Sequence, residues 1–181
     1  MKTLLRNFVA DLADPATSGD PFVRSELVLV LATASGSQGM VGGQILDIEG
    51  ERKSFDLPAI TRMQQLKTGA LLSAAVEMGA VMGKVPPEGR NHLKGYARDI
   101  GLAFQIADDL LDHAGDEAKA GKALRKDAAA GKQTFVGLLG EDRAREQARM
   151  LTRQAIAYLG SYGQEADLLR AVARYIVERD H

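Results

Sequence analysis

The sequence predicts an all-α protein, and three observations support this. Apolar residues recur at the helical period along nearly all of the chain, and no strand-like alternation lasts beyond four residues. Helix start and stop signals punctuate that pattern at Asp14-Pro15 and Asp20-Pro21. The 181 residues are 45% hydrophobic and 26% charged, the composition of an ordinary soluble domain rather than a disordered chain. At this length a fold buries roughly 70% of its extended surface, so the core needs no covalent staples.

The elements follow in order. Thr3 to Ala13 reads as a helix that stops at Asp14-Pro15, and Asp14 to Asp20 reads as a loop. Asp20 then supplies an N-cap with Pro21 at the first helical position, opening a long helix towards Glu51. A loop runs from Lys53 to Pro58, and a third helix spans Ala59 to Met82, ending near Gly83-Lys84-Val85-Pro86-Pro87. A fourth spans Glu88 to His113, and Ala114 to Gln133 reads as a loop containing Gly and Lys. Helices over Glu141–Gly160 and Glu165–Arg179 finish the chain. In the last of these, Leu168, Leu169, Val172 and Ile176 form one apolar stripe.

Composition excludes several function classes. With 23 basic and 24 acidic residues the net charge is −1, which gives no general attraction to nucleic acid or anionic membrane. The absence of Cys removes disulfides, thiolate metal sites and cysteine nucleophiles. Aromatic residues are 5% of the chain, with no Trp, too few for a base-stacking platform. The longest apolar stretch, Leu27 to Ala34, is far shorter than the ~20 residues of a membrane span. The Met1–Arg6 start has no signal-peptide core, so a cytoplasmic soluble protein is expected.

Four segments carry chemistry. In Phe104-Gln105-Ile106-Ala107-Asp108-Asp109-Leu110-Leu111-Asp112, residues Gln105, Asp108, Asp109 and Asp112 share one helix face at i, i+3, i+4 and i+7. Carboxylates spaced this way repel unless cations gather, and their hard oxygens suit Mg²⁺. A solvated acidic helix end gives the same run. The next stretch, Lys119 to Lys132, holds Lys119, Lys122, Arg125, Lys126 and Lys132 against the single acid Asp127. An acidic face running into a basic, Gly-containing loop fits a diphosphate held between metal and ammonium groups, although the loop alone could be a connector. Upstream, Gly39, Gly42 and Gly43 fall inside a helical pattern, with Gln44 and Asp47 on one face. Each such glycine costs about 1 kcal/mol relative to Ala, which points to close helix approach or to room for a ligand. Lys67-Thr68 sits in an otherwise apolar stretch, where a snorkelling lysine is the ordinary explanation.

With these residues in view, the chain resembles the C-terminal half of a trans-isoprenyl diphosphate synthase, the farnesyl and geranylgeranyl diphosphate synthase group. The landmarks are GMVGGQILD at 39–47, LKTGALL at 66–72, FQIADDLLD at 104–112, RKDAAAGKQTF at 125–135 and YIVERDH at 175–181, in the family's order. The resemblance implies an all-α bundle of the isoprenoid synthase type, with residues 1–181 forming the C-terminal part of a single domain. It implies Mg²⁺-dependent ionisation of an allylic diphosphate, followed by attack of isopentenyl diphosphate on the cation. It further implies a homodimer in the full-length protein.

By the same resemblance Asp108 is the metal ligand of the second aspartate-rich motif, supported by Asp109 and Asp112. Lys67 and Lys126 hold the allylic diphosphate, with Lys132 on the same rim. Thr68 and Gln105 stand beside the developing cation, and Gln44 faces the pocket. Some residues depart from the family pattern: Arg125 stands where Gly is usual before the Lys-Asp pair, and Phe135-Val136 replaces Tyr-Pro. The first aspartate-rich motif, its arginine pair and the basic residues for isopentenyl diphosphate have no counterpart in the 181 residues. The expectation is a bundle without its N-terminal helices that turns over little or no substrate alone. A non-catalytic helical subunit or interaction module needing a partner is the alternative. A class I terpene cyclase fragment is a third reading, which the basic loop and the Lys67-Thr68 pair disfavour.

Overall fold

Asp20 and Pro21 open the first described helix where the sequence places it. The computed structural model describes residues 20–119 and 134–179. Helix α1 is Pro21–Ser35, and Asp20 caps it by accepting from the Phe22 N–H at 2.8 Å. Helix α2 is Met40–Gly50 and α3 is Leu57–Gln64. Asp56 accepts from the Ala59 N–H at 2.9 Å, so α3 begins two residues before the expected start. A π-helical turn, Gln65–Gly69, follows without a break and leads into α4, Ala70–Met82. Helix α5 is Pro87–Lys119, 33 residues and about 50 Å long. Helix α6 is Phe135–Leu139, capped by Thr134, and α7 is Glu141–Tyr158. A 3₁₀ turn at Gln164–Ala166 opens α8, Asp167–Glu178.

The all-α expectation holds, and the described residues contain no strand. Several boundaries differ from expectation. The helix expected from Pro21 to Glu51 is broken between Ser35 and Met40, where Gly36 turns extended. A Cβ on Gly39 would fall 2.0 Å from the Ala34 carbonyl oxygen, so the break itself demands glycine. The fourth expected helix continues beyond His113 to Lys119. The stripe expected on the last helix divides: Leu169 and Ile176 pack inward beside buried Ala173, whereas Leu168 is 76% exposed. The periodicity does not predict α6. The expected helix over Thr3–Ala13 lies outside the described residues.

The core forms where α5 packs along α7. Leu93, Tyr96, Ile100, Ala103, Ile106 and Leu110 of α5 meet Ala144, Ala148, Leu151 and Ala155 of α7. Alanines at i, i+4 and i+11 on α7 let the two backbones approach closely, and α8 closes the far side through Ala173. Arg170 locks the α7–α8 corner by donating to the carbonyls of Leu159, Tyr162 and Gly163 at 2.6–2.8 Å. A smaller cluster of Leu27, Met78 and Val81 joins α1 to α4. No helix among the described residues is long and apolar enough to cross a membrane.

Candidate diphosphate and metal site

The π-helical turn is the centre of the site. It carries Lys67 and Thr68, and glycines of two other helices pack against its backbone. A Cβ on Gly43 of α2 would lie 2.2 Å from the Lys67 backbone nitrogen, and one on Gly101 of α5 would lie 3.4 Å from the Gly69 Cα. Glycine at 43 therefore allows α2 to rest on the backbone of the turn. One extra residue per turn widens the helix and redirects the side chains that follow, which is why such turns recur at functional sites.

Lys67 is not a snorkelling surface lysine. Its Nζ donates to Asp47 Oδ2 at 2.6 Å, with side chains only 30% and 14% exposed. Asp47 lies one turn beyond Gly43, so close helix approach at the glycine brings the carboxylate to the ammonium. Gln44, on the same helix, is half-buried, as are Thr68 and Gln105.

The acidic face lies further along the surface that holds the turn. Gly101, Gln105, Asp108 and Asp112 fall at i, i+4, i+7 and i+11 on α5. Seven residues of helix separate the Gly101 contact from Asp108, a rise of about 10 Å. The three aspartates are used differently. Asp108 pairs with Arg179, whose guanidinium also lies over the Phe104 ring, 4.7 Å from its centroid. Asp109 accepts from the Phe135 N–H at 2.8 Å and so anchors the start of α6. Asp112 is exposed.

The donor set fits a hard divalent cation at a single carboxylate, with Asp112 one turn away. Mg²⁺ takes one or two carboxylates and keeps water or phosphate oxygens for its remaining positions. Among the described residues no three acidic or histidine side chains converge as a closed metal cage. Lys126 and Lys132, the other expected phosphate ligands, lie outside the described residues.

Two residues of the site went unassigned in the sequence. Asp47 as the partner of Lys67 had a weak signal, an acid four residues after a helix-packing glycine. Arg179 had none, because its contact with Asp108 spans 71 residues. Gln64, just before the turn, has a buried Oε1 with no partner among the described residues.

The chain is similar to known proteins over most of its length. The polyprenyl synthetase family model matches residues 17–175. Farnesyl diphosphate synthase of Escherichia coli (strain K12) is 40% identical over 186 residues, covering 99% of this chain and 61% of that protein. The crystal structure of an FPP/GFPP synthase from Zymomonas mobilis superposes with a TM-score of 0.79 at 53% identity, covering 91% of this chain and 55% of that one. A Helicobacter pylori geranyltransferase solved with magnesium and isoprenyl diphosphate gives a TM-score of 0.70 at 30% identity, over 87% of this chain and 52% of that one. The chain thus spans little more than half the length of these relatives. With the family model matched over most of its length, the chain belongs to the polyprenyl synthetase family.

Proposed function

We propose that this chain carries the allylic-diphosphate half of a prenyltransferase that joins an allylic diphosphate to isopentenyl diphosphate. The observation that carries the reading is the packing of the Lys67 turn on the helix that bears Asp108. The turn that carries Lys67, whose ammonium Asp47 holds, rests through Gly69 on Gly101 of α5, and Asp108 lies about 10 Å further along that helix. That span suits one diphosphate with a cation beyond it. The Helicobacter pylori relative, solved with magnesium and isoprenyl diphosphate, supports the same pairing of ligands.

In this reading Lys67 keeps one N–H on Asp47 and turns the other two towards phosphate oxygens, since an ammonium has three donors. Asp47 fixes the direction of those donors, and Lys126 and Lys132 add charge to the rim. Asp108, with Asp112 beside it, would hold Mg²⁺, and Asp109 steadies the helix end behind them. When bound, Mg²⁺ supplies Lewis-acid neutralisation of the charge growing on the leaving diphosphate. Thr68 and Gln105 turn oxygen dipoles towards the allylic carbon as positive charge develops. Gln44 lines the same pocket. No protein base is required, because the departing diphosphate can accept the final proton. The resemblance adds a homodimeric assembly for the full-length protein.

Calorimetric titration with a bisphosphonate tests the site. Binding is expected only with Mg²⁺, and Lys67→Ala and Asp108→Ala should each weaken it by about tenfold or more. Binding indifferent to Mg²⁺ and to both substitutions would overturn the reading. The 181-residue chain is expected to bind without sustaining turnover, because only one of the family's two aspartate-rich motifs is in its sequence. Steady prenyl transfer in a radiolabelled assay would contradict that.

A second reading, a helical module that needs a partner, is favoured by one feature of α1. Phe22, Val28 and Leu29 are 83%, 61% and 66% exposed, a large apolar surface for a helix. Light scattering separates the two: a clean monomer argues against the module.

A further inference from the structure

Arg179 ends α8 and reaches across to α5. The backbone turns extended there, and its N–H still closes onto the Tyr175 carbonyl at 3.0 Å. This aims the side chain off the helix axis. The guanidinium spans two residues one turn apart on α5, pairing with Asp108 and covering the Phe104 ring. Arg179 is 16% exposed and Asp108 41%, so the arginine comes from the interior side while the carboxylate keeps a face to solvent. The contact is incompletely satisfied, because Arg179 Nε is buried without a partner among the described residues.

We infer that Arg179 and a divalent cation compete for Asp108, so that metal binding and release of Arg179 from α5 are one coupled equilibrium. The inference rests on the proposed reading of Asp108 as a metal ligand. A cation on the solvent face of Asp108 would share one small carboxylate with a guanidinium already on the other side. Like charges that close repel strongly away from bulk water. A lysine or histidine in that position could shed its proton. An arginine cannot, so relief comes only from movement. Movement also frees Nε to be solvated, which offsets part of the lost contact with Asp108 and Phe104. Metal occupancy is thereby reported to the end of α8, 71 residues along the chain from the ligand.

Mn²⁺ titration of the full chain, followed by loss of the free-ion electron paramagnetic resonance signal, tests this. Arg179→Gln should bind Mn²⁺ about fivefold more tightly than wild type, the coupling of a part-exposed pair. Arg179→Lys, which keeps the charge but loses the fork and the stacking, should fall between them. Thermal unfolding supplies a second readout. Arg179→Gln should melt below wild type without metal, and saturating Mn²⁺ should narrow that gap, because linkage is reciprocal. Unchanged or weaker Mn²⁺ binding in Arg179→Gln, with Asp108→Asn still abolishing it, overturns the competition and makes Arg179 a support for the ligand instead. Wild-type affinity in Asp108→Asn removes the metal-ligand reading, and the inference with it.

Discussion

Asp47 and Lys67, twenty residues apart in sequence, form a half-buried ion pair 2.6 Å long beside a glycine that permits the close approach of their helices. Gly43 lets α2 rest on the backbone of the π-helical turn, and Asp47, one turn later, meets the lysine that the turn projects. Asp47→Asn is expected to weaken bisphosphonate binding by about five- to tenfold without removing a phosphate ligand. A charge this sheltered lies between exposed and buried pairs in worth. A double-mutant cycle with Lys67→Ala should therefore return a coupling of roughly 1–2 kcal/mol in stability. Independent effects of the two substitutions would mean that Asp47 does not position Lys67.

The glycine itself is a sharper test of the packing. A Cβ at position 43 would lie 2.5 Å from the Lys67 Cα, and both groups are backbone-bound, so neither helix can yield cheaply. Gly43→Ala is expected to destabilise by about 2–3 kcal/mol, as overpacking does, and to weaken phosphate binding as well. Gly79 in α4 is the control, since a Cβ there meets nothing within 4 Å. Gly79→Ala should stabilise by about 0.5–1 kcal/mol through helix propensity. Urea denaturation of the two variants measures both signs.

Arg170 gives a prediction remote from the site. It donates to the carbonyls of Leu159, Tyr162 and Gly163 and pairs with Asp167, with its side chain 18% exposed. These carbonyls end α7 and form the corner into α8, where backbone N–H groups also reach Leu159 from Tyr162 at 3.1 Å and Gly163 from Ala166 at 3.3 Å. Arg170→Ala should lower stability by roughly 2–3 kcal/mol. Arg170→Lys should recover little of that, because a point charge cannot serve three carbonyls in a plane. Full rescue by lysine in chemical denaturation would reduce the role of Arg170 to charge alone.

Local chemistry made much of the fold legible. Asp20-Pro21 is a cap whose partner lies two residues away, so it reads directly from the chain. Asp56 caps α3 as locally, yet in the sequence it reads as part of a loop, with that helix expected from Ala59. The break between α1 and α2 does not read directly either, because a glycine inside a helix and one that ends it look alike without the neighbouring helix. Leu168 and Leu169 show the same limit: only one can face the core, and the choice belongs to the packing of α8 on α5 and α7. Periodicity put Gln105, Asp108 and Asp112 on a common face of α5. It could not separate Asp109, whose carboxylate serves the backbone of Phe135. The π-turn beneath Lys67 and the contacts of Asp47 and Arg179 depend on residues 20 and 71 positions away, where helical periodicity carries no information.

Tyr96 makes stability depend on alkaline pH, with a definite sign. It is 2% exposed in the core of α5, and its hydroxyl donates to the Leu169 carbonyl at 2.9 Å, tying α5 to α8. Burial disfavours the phenolate and pushes the hydroxyl from 10.0 up to about 12. Above pH 10 the unfolded chain gives up this proton while the folded protein keeps it, so the unfolded state binds fewer protons and stability falls with rising pH. The contribution is fully present below pH 10 and is lost as pH climbs towards about 12, to a limit of roughly 2–3 kcal/mol. Tyr96→Phe should cost about 1 kcal/mol at neutral pH by removing the hydroxyl's hydrogen bond to the Leu169 carbonyl. It should also flatten the alkaline slope, so the two proteins converge in stability above pH 10 in guanidinium titrations. A slope unchanged by Tyr96→Phe would place the alkaline transition on another group.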